Sequence, residues 1–195
     1  MKTSPFKSTE RLIIFTTTSY ALLLVILGHI KMIYRLPGVA FGITVIAVFA
    51  ILCLFYFTNE RFKEYMRSFS LASLTFIHLW RILAAVLFLQ YGAEQLIPST
   101  FAYLAGYGDL IAGLLVPLVL FFKHSKLSFW LFNIVGFIDF LVAVGTGITF
   151  TFLDTGTMDT IRLLPLALIP LFGVPISGLT HIVMFDKLRL AKFNA

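Results

Sequence analysis

The segment Phe101–Phe122, FAYLAGYGDLIAGLLVPLVLFF, is long and apolar enough to cross a lipid bilayer as a single helix. A charged residue, Asp109, interrupts it near the middle. A carboxylate at that depth costs roughly 2.5–3.5 kcal/mol on insertion scales, so it must be paired, face a wet cavity or serve a function. The whole chain has the same character, with 195 residues of which 59% are hydrophobic and 12% charged. Such a composition excludes an ordinary soluble domain.

Six segments of this kind predict an all-α, polytopic integral membrane protein, with residues 1–195 forming one six-helix transmembrane domain. The predicted transmembrane helices are Leu12–Ile30, Val39–Thr58, Ser70–Gln90, Phe101–Phe122, Phe129–Phe152 and Leu164–Phe185. Turn-forming residues separate several of them, at Pro37-Gly38, Pro98-Ser99 and Asp154–Thr160. The first apolar run is too long for a signal peptide and no small-x-small site follows it, so we expect it to be retained.

The basic residues predict that both termini face the cytoplasm. Most of the 15 lysines and arginines fall in segments that this topology places inside: Lys2, Lys7, Arg11, Arg61, Lys63, Arg67, Lys123, Lys126, Lys187, Arg189 and Lys192. The predicted outer loops hold Lys31, Arg35 and Arg162. This asymmetry over short loops follows the positive-inside rule, which also explains the net charge of +6 without a nucleic-acid partner. We therefore expect a multi-pass membrane protein with the odd-numbered loops outside and both ends inside.

Three ionisable residues, Arg81, Asp109 and Asp139, lie near the middle of consecutive predicted helices. The positions that share a helical face with Asp109 are all small, which permits close helix–helix contact: Ala102, Ala105, Gly106, Ala112 and Gly113. Because the depths are similar, we predict an Arg81–Asp109–Asp139 cluster, with His78 one turn towards the cytoplasm. One arginine and two aspartates leave a formal charge of −1 unless a proton or a cation binds. The alternative is a purely structural ion-pair cluster that sets helix register.

The sixth predicted helix contains Pro165, Pro170 and Pro175. Each internal proline removes a backbone hydrogen bond and clashes with the preceding turn. We expect either a broken helix with free carbonyls facing a cavity, as in many transporters, or a kink that the bundle tolerates.

Particular residues suggest two alternative functions, intramembrane proteolysis and haem binding. The run Gly106-Tyr107-Gly108-Asp109 resembles the Gly-x-Gly-Asp signature of intramembrane aspartyl proteases, with Asp139 as the second acid. In presenilin-like enzymes, however, the other aspartate follows a tyrosine and precedes this helix, and a buried Arg81 would keep both acids ionised.

Haem would need two histidines at one depth, and the pair that could approach each other is His78 and His181. Our expectation leans towards a protein that is not an enzyme and has no cofactor.

An intrachain disulfide and a cysteine-based metal site are both excluded, because Cys53 is the only cysteine. We predict no metal site.

The segment from Trp80 to Lys123, the run Phe132-Asn133-x-x-Gly136 and the stretch from Pro165 to His181 together resemble a group of uncharacterised six-span bacterial membrane proteins. The resemblance covers about the last two-thirds of the chain. The matching positions are Arg81, Asp109, Asn133, Pro170 and His181. It implies a bacterial inner membrane and brings no activity with it.

The leading hypothesis from the sequence is binding or transport of a small solute or proton through the buried cluster. The candidate residues are Arg81, Asp109, Asp139, His78, Asn133 and His181. In this scheme the two aspartates carry a proton or cation and His78 relays it. We expect the bilayer and the solute as partners, with a homo-oligomer suggested by the small size. A structural or assembly subunit without a site is the remaining alternative.

Overall fold

The structure is a computed structural model that describes residues 6–122, 125–153 and 156–190. Lys2, Lys123, Lys192 and Asp154, which entered the topology and turn predictions, lie outside these ranges. The described chain folds into helices α1 Lys7–His29, α2 Gly38–Thr58, α3 Glu60–Ser68, α4 Leu71–Ala93, α5 Ser99–Phe121, α6 Lys126–Phe152 and α7 Ile169–Leu190. A 3₁₀ turn, Ile77–Trp80, lies within α4, and a 3₁₀ segment, Thr157–Arg162, precedes α7.

Six of these helices, all except α3, are long and apolar enough to cross a membrane. Large apolar side chains are exposed along their outer faces, for example Phe15 at 70% and Ile51 at 63%. Apolar side chains on the outside of a helix bundle are what a lipid environment requires and what water penalises. The all-α architecture is confirmed, and it fits a multi-pass integral membrane protein.

The short helix α3 is amphipathic, and the sequence analysis missed it. Asn59 caps its first turn by accepting a hydrogen bond from the backbone N–H of Phe62 at 2.9 Å. Phe62 is buried, and Arg67 at the other end pairs with Asp186 of α7, with 2.7 Å between Nη2 and Oδ2. Tyr56 donates to the same carboxylate at 2.5 Å. The segment between the second and third spans is therefore an ordered helix fixed to the end of α7.

The sixth membrane helix begins later than predicted, at Ile169 instead of Leu164, and continues to Leu190. Leu163 is extended, and Leu164 precedes a proline, where helical backbone is disfavoured, so no helix starts there. The first turn of α7, Ile169–Gly173, is a π-helix. Pro175 has no N–H to offer the Leu171 carbonyl, and the Tyr20 hydroxyl of α1 donates to that carbonyl at 3.0 Å. This carbonyl is therefore satisfied by α1, which fits the kink that the bundle tolerates better than a free carbonyl facing a cavity.

The interior contains two hydrophobic clusters with a polar layer between them. The first cluster, near the 153–168 connection, includes Phe88, Phe101, Ala105, Ile161 and Ile169. The second, near α3, includes Tyr56, Leu74, Val116, Phe132 and Val183. We define the polar layer as His78, Arg81, Asp109, Asn133, Asp139, Ser177, Thr180 and His181. Along each of α4, α5, α6 and α7, the polar residues fall between members of the two clusters. The buried charges thus lie across the middle of the bundle.

Candidate functional site

The ion pairs of Arg81 form the centre of the polar layer. Its Nε donates to Asp109 Oδ1 at 2.6 Å, and its Nη2 donates to Asp139 Oδ2. Its Nη1 lies 3.4 Å from the carbonyl oxygen of Gly136. Arg81 is 3% exposed, so α4, α5 and α6 are joined by one desolvated guanidinium. The structure brings together the three charged residues that the sequence singled out.

Two glycines provide the room that the polar layer needs. A Cβ on Gly108 would collide with the carboxylate of Asp139. A Cβ on Gly136 would lie 2.6 Å from His181 Cε1 and 3.0 Å from His181 Nε2. Real Cβ atoms do not approach other atoms so closely, so each glycine allows a polar side chain of a neighbouring helix to sit against its backbone.

His78 of α4 and His181 of α7 are both fully buried and stack on each other. Their ring centroids are 4.3 Å apart, with an angle of 34° between the planes. Asn133 of α6 binds α7 twice, donating to the His181 carbonyl at 3.1 Å and accepting from His181 Nδ1 at 2.7 Å. Thr180 Oγ1 lies 3.0 Å from His78 Nε2. The predicted candidates His78, Asn133 and His181 therefore form one network beside the charged cluster.

The hydrogen bonds assign the protons on both rings. An amide oxygen only accepts, so His181 Nδ1 carries its N–H and leaves Nε2 bare. The Thr180 hydroxyl donates to the Ser177 carbonyl at 2.9 Å, so it accepts from His78 Nε2 and leaves His78 Nδ1 bare. Neither bare nitrogen has a partner among the described residues. A buried acceptor without a donor costs about 1–3 kcal/mol, which marks both atoms as places for a water or a proton.

The bare nitrogen of His181 lies beside the ion-pair cluster. His181 Nε2 and Arg81 Nη1 are 3.0 Å and 3.4 Å from the point where a Gly136 Cβ would stand. The histidine pair is therefore continuous with the Arg81 cluster. Haem ligation by His78 and His181 would require the stacked rings to separate, because a porphyrin must lie between its two axial ligands.

A cavity leads from the first hydrophobic cluster to the charged residues. Its volume is about 70 Å³, several times the roughly 10–15 Å³ that one water needs. Gly42 of α2, Gly147 of α6 and Ile161 line its wall, and Arg81, Asp109 and Ser177 line its inner end.

The cavity separates the predicted site residues into two groups. Arg81 and Asp109 line it, whereas Asp139, His78, Asn133 and His181 are not among the described residues in its wall. Trp80, which the sequence analysis did not choose, also lines it and donates its indole N–H to Ser177 Oγ at 3.1 Å. Its unusual mid-span position was the available signal, because tryptophan normally collects at the membrane interface.

The geometry does not favour the aspartyl-protease interpretation. Gly106 and Gly108 are explained by packing, the first against Leu89 and the second against Asp139. Asp109 and Asp139 each pair with Arg81, and among the described residues no hydrogen bond joins the two carboxyl groups as it would in a catalytic dyad that shares a proton.

Comparison with known proteins places the chain in a family. No curated protein and no solved structure matches it significantly. Residues 38–189 match the model of a domain of unknown function, DUF8737. The match begins at the first residue of α2 and ends within α7, so it contains the whole polar layer and leaves α1 outside. On this evidence the chain belongs to the DUF8737 family.

Proposed function

We propose that the protein binds a small solute in the cavity that ends at Arg81 and Asp109, and that this binding serves uptake or transfer across the membrane. One observation carries the proposal: a desolvated ion pair lies at the inner end of a cavity with an open mouth. Intramembrane charges that face a cavity typically mark a substrate or ion pathway.

A purely structural ion pair would not need the cavity. A buried pair that only fixes helix register is best sealed by packed side chains, since desolvated charges need close partners. Here Asp109 contributes to the cavity wall while it pairs with Arg81. The cluster also retains a formal charge of −1, which a bound ligand can compensate.

We place both termini in the cytoplasm, which the distribution of basic residues supports. We place the protein in a bacterial inner (plasma) membrane, which the resemblance to six-span bacterial membrane proteins implies. In this orientation the cavity lies on the outer side of the polar layer, because Thr151, Met158 and Ile161 are among its lining residues. The second hydrophobic cluster then lies on the cytoplasmic side of the polar layer. The inner half of the bundle is closed by this apolar packing.

The experiment compares two glycines that both have room for a larger side chain, one inside the cavity wall and one outside it. A Cβ at Gly42 or at Gly145 would meet no described atom within 4 Å, but only Gly42 is among the residues found in the cavity wall. Thermal unfolding of purified wild type, Gly42→Leu and Gly145→Leu is measured against a panel of small neutral, cationic and anionic solutes. A ligand at a hundred times its Kd stabilises by about 2.7 kcal/mol, which shifts Tm by several degrees.

We expect at least one solute to raise the Tm of wild type and Gly145→Leu but not of Gly42→Leu. If every stabilising solute acts equally on both leucine variants, binding is not in the cavity and the proposal fails.

A second candidate, proton transfer, is favoured by the bare nitrogens of His78 and His181 beside the cluster. Proton flux into proteoliposomes under an imposed pH gradient tests it. Flux that Asp109→Asn abolishes supports this candidate, whereas flux no greater than in empty liposomes rejects it.

A further inference from the structure

We propose that the solute is a small organic cation, a protonated amine on a compact apolar body, whose ammonium group binds Asp109. This inference rests on the proposed function, because it names the ligand class of the same cavity. It follows from the charge of the polar layer, the spare hydrogen-bonding capacity of Asp109 and the side chains of the wall.

The charge favours a cation over an anion. All three nitrogens of the Arg81 guanidinium are directed at protein oxygens, those of Asp109, Asp139 and Gly136. An incoming carboxylate would have to share a guanidinium that already donates three of its five N–H groups to the protein. It would also add a second negative charge to a cluster that already carries −1. A cation brings the cluster to neutrality without breaking an ion pair.

Asp109 has the unused acceptor positions that an ammonium group requires. Its Oδ1 accepts from Arg81 Nε, and no hydrogen bond from a described residue reaches its Oδ2. A carboxylate offers about four lone-pair sites, so the cavity side of this group is under-used. Charge-assisted N–H donors are the strongest partners for such an oxygen.

The wall suits the apolar body of an organic cation. Five aromatic side chains line the cavity, and they are Phe41, Trp80, Phe88, Phe101 and Phe140. Aromatic rings attract cations through their negative faces and provide apolar surface for a hydrocarbon skeleton. A hydrated inorganic ion would gain little from this lining, because among the described wall residues the polar side chains apart from the Trp80 indole are Arg81, Asp109, Thr151 and Ser177.

The test compares three probes that share one ring: benzylammonium, benzyl alcohol and benzoate. The protein carries Trp130→Phe, so that Trp80, the other of the two tryptophans, reports on the cavity by its fluorescence. Binding is titrated at neutral pH in nanodiscs of phosphatidylglycerol. We expect benzylammonium to bind at least about tenfold more tightly than benzyl alcohol, and benzoate to bind most weakly.

A variant connects the preference to one carboxylate. Asp109→Asn should remove the advantage of benzylammonium and leave the affinity for benzyl alcohol within about threefold of the parent. Retained alcohol binding shows that the variant is folded. If Asp109→Asn loses all binding and unfolds, Gly42→Leu is titrated instead, and benzylammonium affinity equal to the parent there overturns the inference.

The outcomes separate this inference from the proposed function. Equal affinities for the amine and the alcohol, or tightest binding of benzoate, overturn the cation assignment and leave a solute cavity. If none of the three probes binds, the cation assignment is rejected, and the solute panel with Gly42→Leu and Gly145→Leu decides the proposed function independently.

The ammonium group could come from a free amine or from an aminolipid headgroup. Nanodiscs with added phosphatidylethanolamine distinguish these sources. Competition by the lipid against benzylammonium assigns a headgroup, and unchanged benzylammonium affinity assigns a free amine.

Discussion

The carboxylate of Asp139 occupies the space that a side chain at residue 108 would need, so Gly108 of α5 and Asp139 of α6 are matched to each other. This contact allows Asp139 to reach across α5 to Arg81 of α4. The glycine in the Gly-x-Gly-Asp run therefore has a packing role, and the motif needs no catalytic explanation.

Gly108→Ala should destabilise the protein, because the added methyl must displace a paired carboxylate. Overpacking of this kind costs about 1–3 kcal/mol, and weakening of the ion pair adds to it. Thermal unfolding in detergent measures the effect. Gly145→Ala is the control, since a Cβ there meets no described atom within 4 Å and alanine favours helix by up to about 1 kcal/mol. Equal Tm values for the two variants would contradict the contact.

Arg81→Gln should be the most damaging change in the polar layer. It leaves Asp109 and Asp139 buried without their cation, and orphaning a buried charge costs about 3–5 kcal/mol. Asp109→Asn and Asp139→Asn should each cost less, because the remaining pair with Arg81 is formally neutral. Thermal stability of the four proteins side by side gives the order.

A different order would change the interpretation of the cluster. Equal, large losses for all three variants would indicate a purely structural triad. If an Asp→Asn change leaves stability unchanged or raises it, that aspartate is held ionised at a cost, which supports a role in binding a cation or proton.

Tyr20→Phe should remove the hydrogen bond to the Leu171 carbonyl and cost about 1 kcal/mol. Pro175 stands one turn later and has no N–H, so the donor that a regular α-helix would supply to this carbonyl is missing. The matched control is Tyr107→Phe, because Tyr107 is 53% exposed on α5. A similar unfolding temperature for both variants would show that α1 does not stabilise the π-helical turn.

The proposed orientation predicts which loops a reagent can reach from outside the cell. Arg35 and Arg61 are both exposed and lie at opposite ends of α2. In a Cys53→Ser background, Arg35→Cys should react with a membrane-impermeant maleimide on intact cells. Arg61→Cys should react after lysis. Labelling of Arg61→Cys alone on intact cells would mean that both termini are outside.

The length and the apolar composition of six segments were sufficient to predict the six membrane helices, because the hydrocarbon core of a bilayer admits few other backbone conformations. The small-residue face of α5 and the similar depths of Arg81, Asp109 and Asp139 were sufficient to predict the cluster, since charges in the membrane must find partners. The sequence did not predict α3, whose nine residues are stabilised by an asparagine cap and by contacts with α7. It also placed the start of α7 too early, because proline positions did not show where the 3₁₀ segment and the turns before α7 end.

The sequence by itself determined that this chain is a helical membrane protein with one arginine and two aspartates at mid-depth. Those features depend on composition and on helical period, which are local properties of the chain. Only the tertiary structure decided which of the charges meet the cavity, that His78 stacks on His181, and that Asp139 fits against Gly108. These relations join residues from different helices, and they depend on helix rotation and tilt, which packing sets.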